Sequence, residues 1–160
     1  MPPPLKTAPR TIPDGAPAVE NIDTTYLETL LGYNARRVSL KVIELFTVRM
    51  AQYSLSPVDF SILSLITHNP GITSRQICSA LNLLPPNLVG KISTMEKRAL
   101  VARRPHPEDG RAIGLYLTSE GEALMRPAER VASDLEKEAA SGLSAAEKKT
   151  LLRLLQKVYL

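Results

Sequence analysis

The chain has one cysteine, two histidines and no tryptophan among its 160 residues, and these shortages exclude several classes of protein. A single cysteine, Cys78, cannot form an internal disulfide, which favours a reducing compartment and predicts a cytoplasmic protein. So few histidines and cysteines are not enough for an ordinary zinc site, and neither HExxH nor CxxC occurs. We therefore expect no metal and no cofactor.

Glycine-rich phosphate loops and long apolar runs are missing as well. None of the eight glycines forms a GxGxxG or Walker pattern, so these nucleotide-binding classes are not indicated. No stretch approaches the roughly eighteen consecutive apolar residues of a membrane span, and the first residues lack the apolar run of a secretory signal. Because no long apolar run is present, we expect no membrane partner. No nucleophile–base pair is evident, so we do not expect an enzyme.

A proline-rich start precedes a series of helix signals. Residues 1–22 hold six of the thirteen prolines and predict a flexible arm outside the core. Thr25 and Glu28 have the spacing of a capping box and predict a helix that runs to about Gln52. Its apolar residues cover much of the helix circumference, which predicts burial between two bodies.

The middle of the chain predicts short helices followed by a charged hairpin. A helix begins at Ser56-Pro57, and a capping box at Thr73 and Gln76 begins another. A further helix runs from about Pro85 to Arg98. The positions predicted to face inward are Ile77 and Ala80 on the short helix and Leu84, Leu88, Ile92, Met95 and Ala99 on the longer one. Residues 101–105 and 113–118 have the apolar content of short strands, with turn residues between them.

Two leucine-rich helices follow the hairpin. Thr118 begins the first, and a capping box at Ser144 and Glu147 begins the second. A monomer of this size has too little surface to cover the apolar faces of the first and last helices. We therefore predict a homodimer with residues 23–54 and 122–160 as the helical dimerisation region.

The whole positive excess of the chain lies in residues 70–112. The formal net charge is +4, and the segments on either side of this one are neutral. The segment holds Arg75, Lys91, Lys97, Arg98, Arg103, Arg104 and Arg111 against Glu96, Glu108 and Asp109. A basic segment between neutral flanks is typical of a protein that binds a polyanion, usually nucleic acid. The same charges would also suit a solvated basic surface, so the local structure must decide.

A short helix, a turn, a longer helix with a polar outer face and a basic hairpin together predict a winged helix-turn-helix over residues 55–121. The fold class is therefore mainly α with a small β-wing, flanked by N- and C-terminal dimerisation helices. In such a unit the second helix enters the major groove, and the hairpin tip contacts phosphate or the minor groove. The candidate DNA-binding residues are Arg75, Pro86, Asn87, Gly90, Lys91, Thr94, Arg103, Arg104, Asp109 and Arg111. Among them Asn87, Lys91 and Thr94 are the candidates for base contacts.

Four stretches of this region resemble the MarR family of bacterial transcription regulators. They are LSPVDFSIL, ITSRQICSALNL, ISTMEKRALVARRPHPEDGRA and LYLTSEGEAL, and the segment around Asp109, Gly110 and Arg111 is the most specific. The resemblance covers about residues 25–158 and implies a dimer formed by the terminal helices. Two positions depart from the family pattern. Leu84 replaces a serine-like helix cap, and Ala99 replaces the glycine that usually ends the second helix.

The resemblance also implies a small-molecule effector. A closer similarity is to BpsR/NicR-type regulators of nicotinate catabolism, which implies a response to a hydroxylated nicotinic acid. Tyr33 and Arg37 lie four residues apart on the first helix, where an aromatic carboxylate could stack and pair with Arg37 or with Arg36. Ser64 is a further candidate for the same pocket. The alternative is that the two arginines form surface or dimer salt bridges.

The sequence therefore predicts a ligand-responsive repressor that binds double-stranded DNA and is released by a small aromatic carboxylate. The alternative is an architectural DNA-binding protein or an anti-repressor with no small-molecule site. Cys78 lies among apolar residues of the first helix of the helix-turn-helix, and we expect a structural role for it.

Overall fold

The computed structural model describes residues 22–160, which form helices and one antiparallel hairpin. The elements are α1 (Thr25–Glu28), α2 (Leu31–Met50), a 3-10 turn (Ala51–Tyr53), α3 (Pro57–His68), α4 (Ser74–Leu81), α5 (Pro85–Lys97), β1 (Val101–Pro105), β2 (Ile113–Leu117), α6 (Ser119–Ala139) and α7 (Ala145–Tyr159). The predicted mainly helical fold with a β-wing is confirmed. The proline-rich arm predicted for residues 1–22 lies outside the described residues, apart from Ile22. No helix in residues 22–160 is long and apolar enough to cross a membrane.

The chain divides into two units after Arg37. In the first unit, the single long helix predicted from Thr25 is wrong, because α1 ends at Glu28 and α2 begins at Leu31. The side-chain amide of Asn34 donates to the carbonyl oxygens of Glu28 and Leu30, both at 2.8 Å. The bond to Glu28 satisfies a carbonyl group that a continuous helix would have bonded itself, which stabilises the break.

The core of the second unit is built by α2 to α6 and the hairpin. The largest fully buried side chains are Met50, Ile62, Leu63, Ile66, Ile77, Leu88, Ile92, Leu115 and Met125. Three of them lie on α3, which has a buried residue on nearly every turn. Helix α3 is therefore the central element of this core.

Side-chain caps fix the start of four helices in this unit. Ser56 and Asp59 form a capping box at α3, and Thr73 and Gln76 form the predicted one at α4. The predicted box of Ser144 and Glu147 begins α7. Thr118 caps α6 by accepting from the amide of Gly121 at 3.0 Å. These local bonds explain why the helix starts could be located from the sequence.

Three residues predicted to face inward are exposed instead. Ala80 lies on the solvent side of α4, and Leu84 is 69% exposed at the N-cap of α5. Leu84 has extended backbone and makes no side-chain cap bond, in agreement with its departure from the family pattern. Ala99 is also exposed and has φ +55°. Because Leu84 and Ala99 lie outside α5, helical spacing does not govern where their side chains point.

The hairpin is tied to the end of α3. Strands β1 and β2 pair with Val101 opposite Leu117 and Pro105 opposite Ile113. The amide of Gly71 donates to the carbonyl of Leu115 at 2.9 Å, and the amide of Leu115 donates to Ile72 at 2.9 Å. Gly71 has φ +89°, a conformation that glycine adopts without strain. A third short segment therefore holds the wing in place.

The left-handed residue at the end of α5 gives a stability prediction. An L-residue with a side chain pays roughly 1 kcal/mol for this conformation, whereas glycine does not. We expect Ala99→Gly to raise the free energy of unfolding by about 1 kcal/mol, measured by chemical denaturation. The same replacement at Ala123, an exposed position inside α6, should lower it by about 1 kcal/mol. Equal destabilisation by both variants would contradict the prediction.

Candidate nucleic-acid interface and ligand cavity

The outer face of α5 is free of contacts with the core. Leu88, Ile92 and Met95 are buried on the inner face, so the residues between them point outward. The predicted DNA-binding residues Pro86, Asn87, Gly90 and Thr94 are all exposed. A Cβ added at Gly90 would meet no atom within 4 Å, and the Thr94 hydroxyl donates to the Gly90 carbonyl at 3.0 Å. This row presents small and polar groups on a helix that a major groove can admit.

Lys91 lies on the side of α5 that faces α3 and is already paired. Its Nζ lies 2.8 Å from Oδ1 of Asp59, and the two side chains are 35% and 23% exposed. The same carboxylate accepts from the amide and the hydroxyl of Ser56. Burial raises the pKa of Asp59, but the hydrogen bonds from Lys91 and Ser56 outweigh it and leave the pKa below its ordinary value. The carboxyl group is therefore ionised at neutral pH.

Two of the predicted basic residues of the wing also have partners in the chain. Arg103 forms two hydrogen bonds with the carboxylate of Glu96, at 2.8 and 3.2 Å. The hydrogen bonds to Glu96 raise the pKa of Arg103 above its ordinary value. The guanidinium carbon of Arg104 lies 5.5 Å from the ring centre of Tyr116, within cation–π distance. Both arginines remain exposed, so each can reach a second partner.

The tip of the wing is organised by two side chains. Nδ1 of His106 accepts from the amides of Glu108 and Asp109, each at 3.2 Å. Oδ1 of Asp109 accepts from the amide of Arg111 at 3.0 Å. Asp109 therefore acts inside the tip as a turn-forming residue, and Arg111 is exposed beside it. Arg75, the remaining predicted DNA contact, is exposed on α4.

A cavity of about 540 Å³ lies between α2, α3 and α6. Its apolar part includes Phe46 and Phe60, whose rings meet edge to face at 5.6 Å. Its polar part includes Ser64, His68 and Glu129. Oε1 of Glu129 lies 2.9 Å from Nε2 of His68 and 3.4 Å from the hydroxyl of Ser64. The volume and the mixed lining suit a small aromatic molecule with a polar substituent.

The other predicted ligand residues lie on α2. Tyr33 is half-buried, whereas Arg36 and Arg37 are both exposed. The exposure means that water solvates the two guanidinium groups in this chain, so burial does not by itself require an anionic partner for them. Their role as a carboxylate clamp stays a prediction.

Four partners of the predicted residues were not found from the sequence. They are Asp59, Glu96, Tyr116 and Glu129. The Ser56 and Asp59 spacing is itself a capping-box pattern and could have identified Asp59 as a cap, though not as the partner of Lys91. Nothing in the local sequence marks Glu129, because its partners Ser64 and His68 lie on another helix, 65 and 61 residues away.

Comparison with known proteins agrees with this geometry. The model of the MarR family matches residues 53–112. The transcriptional repressor CouR bound to a 23-mer DNA duplex is 31% identical, with a TM-score of 0.81 over 88% of this chain and 100% of that chain. CouR bound to p-coumaroyl-CoA is 31% identical, with a TM-score of 0.76 over 86% of this chain and 97% of that chain.

A curated relative covers a similar part of the chain. It is an HTH-type transcriptional repressor of Mycobacterium bovis, 24% identical over 128 residues, which are 80% of this chain and 92% of the relative. The chain therefore belongs to the MarR family and is a DNA-binding transcriptional repressor of the MarR type.

Proposed function

We propose that the protein is a cytoplasmic homodimeric repressor that binds a pseudo-palindromic operator and leaves it when a small aromatic acid binds. The observation that carries the DNA half is the exposed polar row of α5 beside the exposed arginines of the wing. Residues 55–121 form the DNA-binding region in this proposal, and residues 23–54 and 122–160 form the dimer. Two protomers then present two copies of α5 to successive major grooves of one duplex.

The wing and α5 have different roles in DNA binding under this proposal. Arg111→Ala should weaken binding to operator and to random DNA alike and flatten the salt dependence, because the wing contacts phosphate or a narrow minor groove. Asn87→Ala should instead relax the preference at particular base pairs by roughly 1–3 kcal/mol, and Lys91→Ala should do the same where the operator engages Lys91. Fluorescence anisotropy with operator and scrambled duplexes over a salt series measures both. If all three variants weakened both duplexes by one common factor, Asn87 and Lys91 would not be base-reading residues.

The cavity between α2, α3 and α6 supports the effector half of the proposal. Phe46 and Phe60 offer an aromatic surface for a ring. The carboxylate of Glu129 accepts hydrogen bonds, so a ligand hydroxyl or ring N–H suits the polar end better than a ligand carboxylate does. A hydroxylated aromatic acid fits this chemistry if its ring enters the cavity and its carboxylate points outward. Hydroxylated nicotinic acids are the first candidates.

Release from DNA follows from population shift. An effector that binds one arrangement of the two DNA-binding regions better than the other moves the equilibrium by its difference in affinity. The arrangement it favours must place the two copies of α5 at a spacing that no longer fits successive major grooves. Tyr33 with Arg37, or with Arg36, stays the proposed clamp for the carboxylate of the effector.

Calorimetry tests the clamp directly. Losing a charge-assisted hydrogen bond costs about 1.5–3 kcal/mol, so Arg36→Ala or Arg37→Ala should weaken effector binding by roughly 10–100-fold. Arg75→Ala, which removes an exposed arginine from α4, is the matched control and should leave the affinity unchanged. Unchanged affinity in both α2 variants would make these arginines structural and place the clamp elsewhere.

The second candidate effector is an aromatic acyl-CoA. The observation that favours it is the likeness to CouR bound to p-coumaroyl-CoA at 31% identity. A thermal-shift screen with hydroxylated aromatic acids and their CoA thioesters separates the two candidates. A protein that responds to neither class would instead support a DNA-binding architectural role or an anti-repressor, while the DNA half of the proposal would stand.

A further inference from the structure

The ion pair of Lys91 and Asp59 joins α5, the helix proposed to enter the major groove, to the first turn of α3. Most of the Lys91 side chain is buried, and its Nζ lies 2.8 Å from Oδ1 of Asp59. Lysine is otherwise among the residues that are least often buried. The pair therefore fixes the position of a cation at the edge of the surface that faces DNA.

Asp59 cannot follow Lys91 if the lysine turns toward DNA. Its Oδ2 accepts from the amide of Ser56 at 3.2 Å and from the hydroxyl of Ser56 at 2.5 Å, and its own amide donates to that hydroxyl. The capping box holds the carboxylate at the first turn of α3. When Lys91 leaves, a half-buried negative charge loses its partner and lies near the phosphates, which is unfavourable on both counts.

We propose that Asp59 is a specificity-determining residue that withholds Lys91 from DNA of arbitrary sequence. The inference rests on the proposed placement of α5 in the major groove. If Lys91 exchanges the Asp59 carboxylate for a phosphate, the free energy of DNA binding improves little, because one anion replaces another. A base edge with two acceptors, such as O6 and N7 of guanine, competes with Asp59 better than a single phosphate does. Lys91 then contributes at operator sequences and stays paired elsewhere, which lowers the affinity for random DNA.

A double-mutant cycle on a random-sequence duplex tests the proposal. Binding is followed by fluorescence anisotropy over a series of KCl concentrations, and log Kobs is plotted against log [KCl]. Each phosphate contact contributes about 0.9 to the slope. Lys91→Gln should leave the slope almost unchanged in the wild-type protein. Asp59→Asn should steepen it by about 0.9 per protomer and tighten binding by roughly eightfold per protomer at 0.1 M salt.

The coupling between the two sites is the decisive result. In the Asp59→Asn background, Lys91→Gln should remove the added slope of about 0.9 per protomer, because the freed lysine is the source of it. Asparagine retains an acceptor for the Ser56 amide, so the capping box survives in this variant. Asp134→Asn is the matched control: it makes the same change beside Lys137 at an exposed position of α6 and should not alter the slope.

Several outcomes would overturn the inference. An equal effect of Lys91→Gln in both backgrounds would show independent charges, and an unchanged slope in Asp59→Asn would show that no lysine is released. If Asp59→Asn fails to melt cooperatively, the single variant Lys91→Gln still decides. A loss of about 0.9 per protomer from its salt slope would show that Lys91 already contacts phosphate in the wild-type protein. A wild-type protein that binds no duplex at low salt would overturn the proposed function as well, whereas the other outcomes leave it standing.

Discussion

Among the glycines of residues 55–121, Gly121 is expected to tolerate replacement by alanine least. A Cβ at this position would lie 2.2 Å from the carbonyl oxygen of Leu100 and 3.2 Å from Cδ2 of Leu117. The oxygen belongs to the backbone and already accepts from the amide of Thr118 at 3.0 Å. It cannot move aside without breaking this bond, which joins the N-cap residue of α6 to the residue just before β1. We expect a loss of about 3 kcal/mol in the free energy of unfolding.

The change should be visible in a thermal melt as a fall in Tm of roughly 6–12 °C at matched protein concentration. Gly142→Ala is the control, because a Cβ there meets nothing within 4 Å. It should shift Tm very little. A Gly121→Ala protein as stable as the Gly142→Ala protein would mean that α6 does not pack against the Leu100 carbonyl in solution.

Leu154→Glu should separate the proposed dimer into monomers. Helix α7 has no buried residue, although its leucines and Val158 form an apolar stripe. Leu154 is 48% exposed within that stripe. Two-fold symmetry would place two glutamates in one interface, and burying their charges should cost about 4 kcal/mol in all, or roughly a thousandfold in the dimer Kd.

Analytical ultracentrifugation at micromolar concentration measures this directly. The wild type should sediment at twice the 17.5 kDa of one chain, with a Tm that rises with concentration, and Leu154→Glu should sediment at the mass of one chain. Arg153→Glu introduces the same side chain on the opposite face of α7, beside Lys149 and Lys157, and should remain dimeric. A wild-type monomer, or a Leu154→Glu dimer, would contradict the assignment of α7 to the interface.

Local signals in the sequence were enough to locate the helix-turn-helix and the wing. The predicted capping boxes at Thr73 and Ser144 were confirmed because their bonds join residues three apart. The inner row of α5 was predicted correctly at Leu88, Ile92 and Met95 because helical geometry fixes which side chains share a face. The basic segment was visible as a charge excess alone. All of these features depend only on neighbours along the chain.

The tertiary structure decided what these elements do to one another. Lys91 and Asp59 pair across 32 residues, and Glu129 meets Ser64 across 65, so no local pattern marks either contact. At the break between α1 and α2, the side-chain amide of Asn34 bonds the Glu28 carbonyl that helical periodicity assigns to a backbone amide. The sequence by itself determined which residues of α5 face the core, because helical geometry is local. Only packing decided that Lys91, predicted on the outer face, lies on the side of α5 that faces α3 and is held there by a carboxylate.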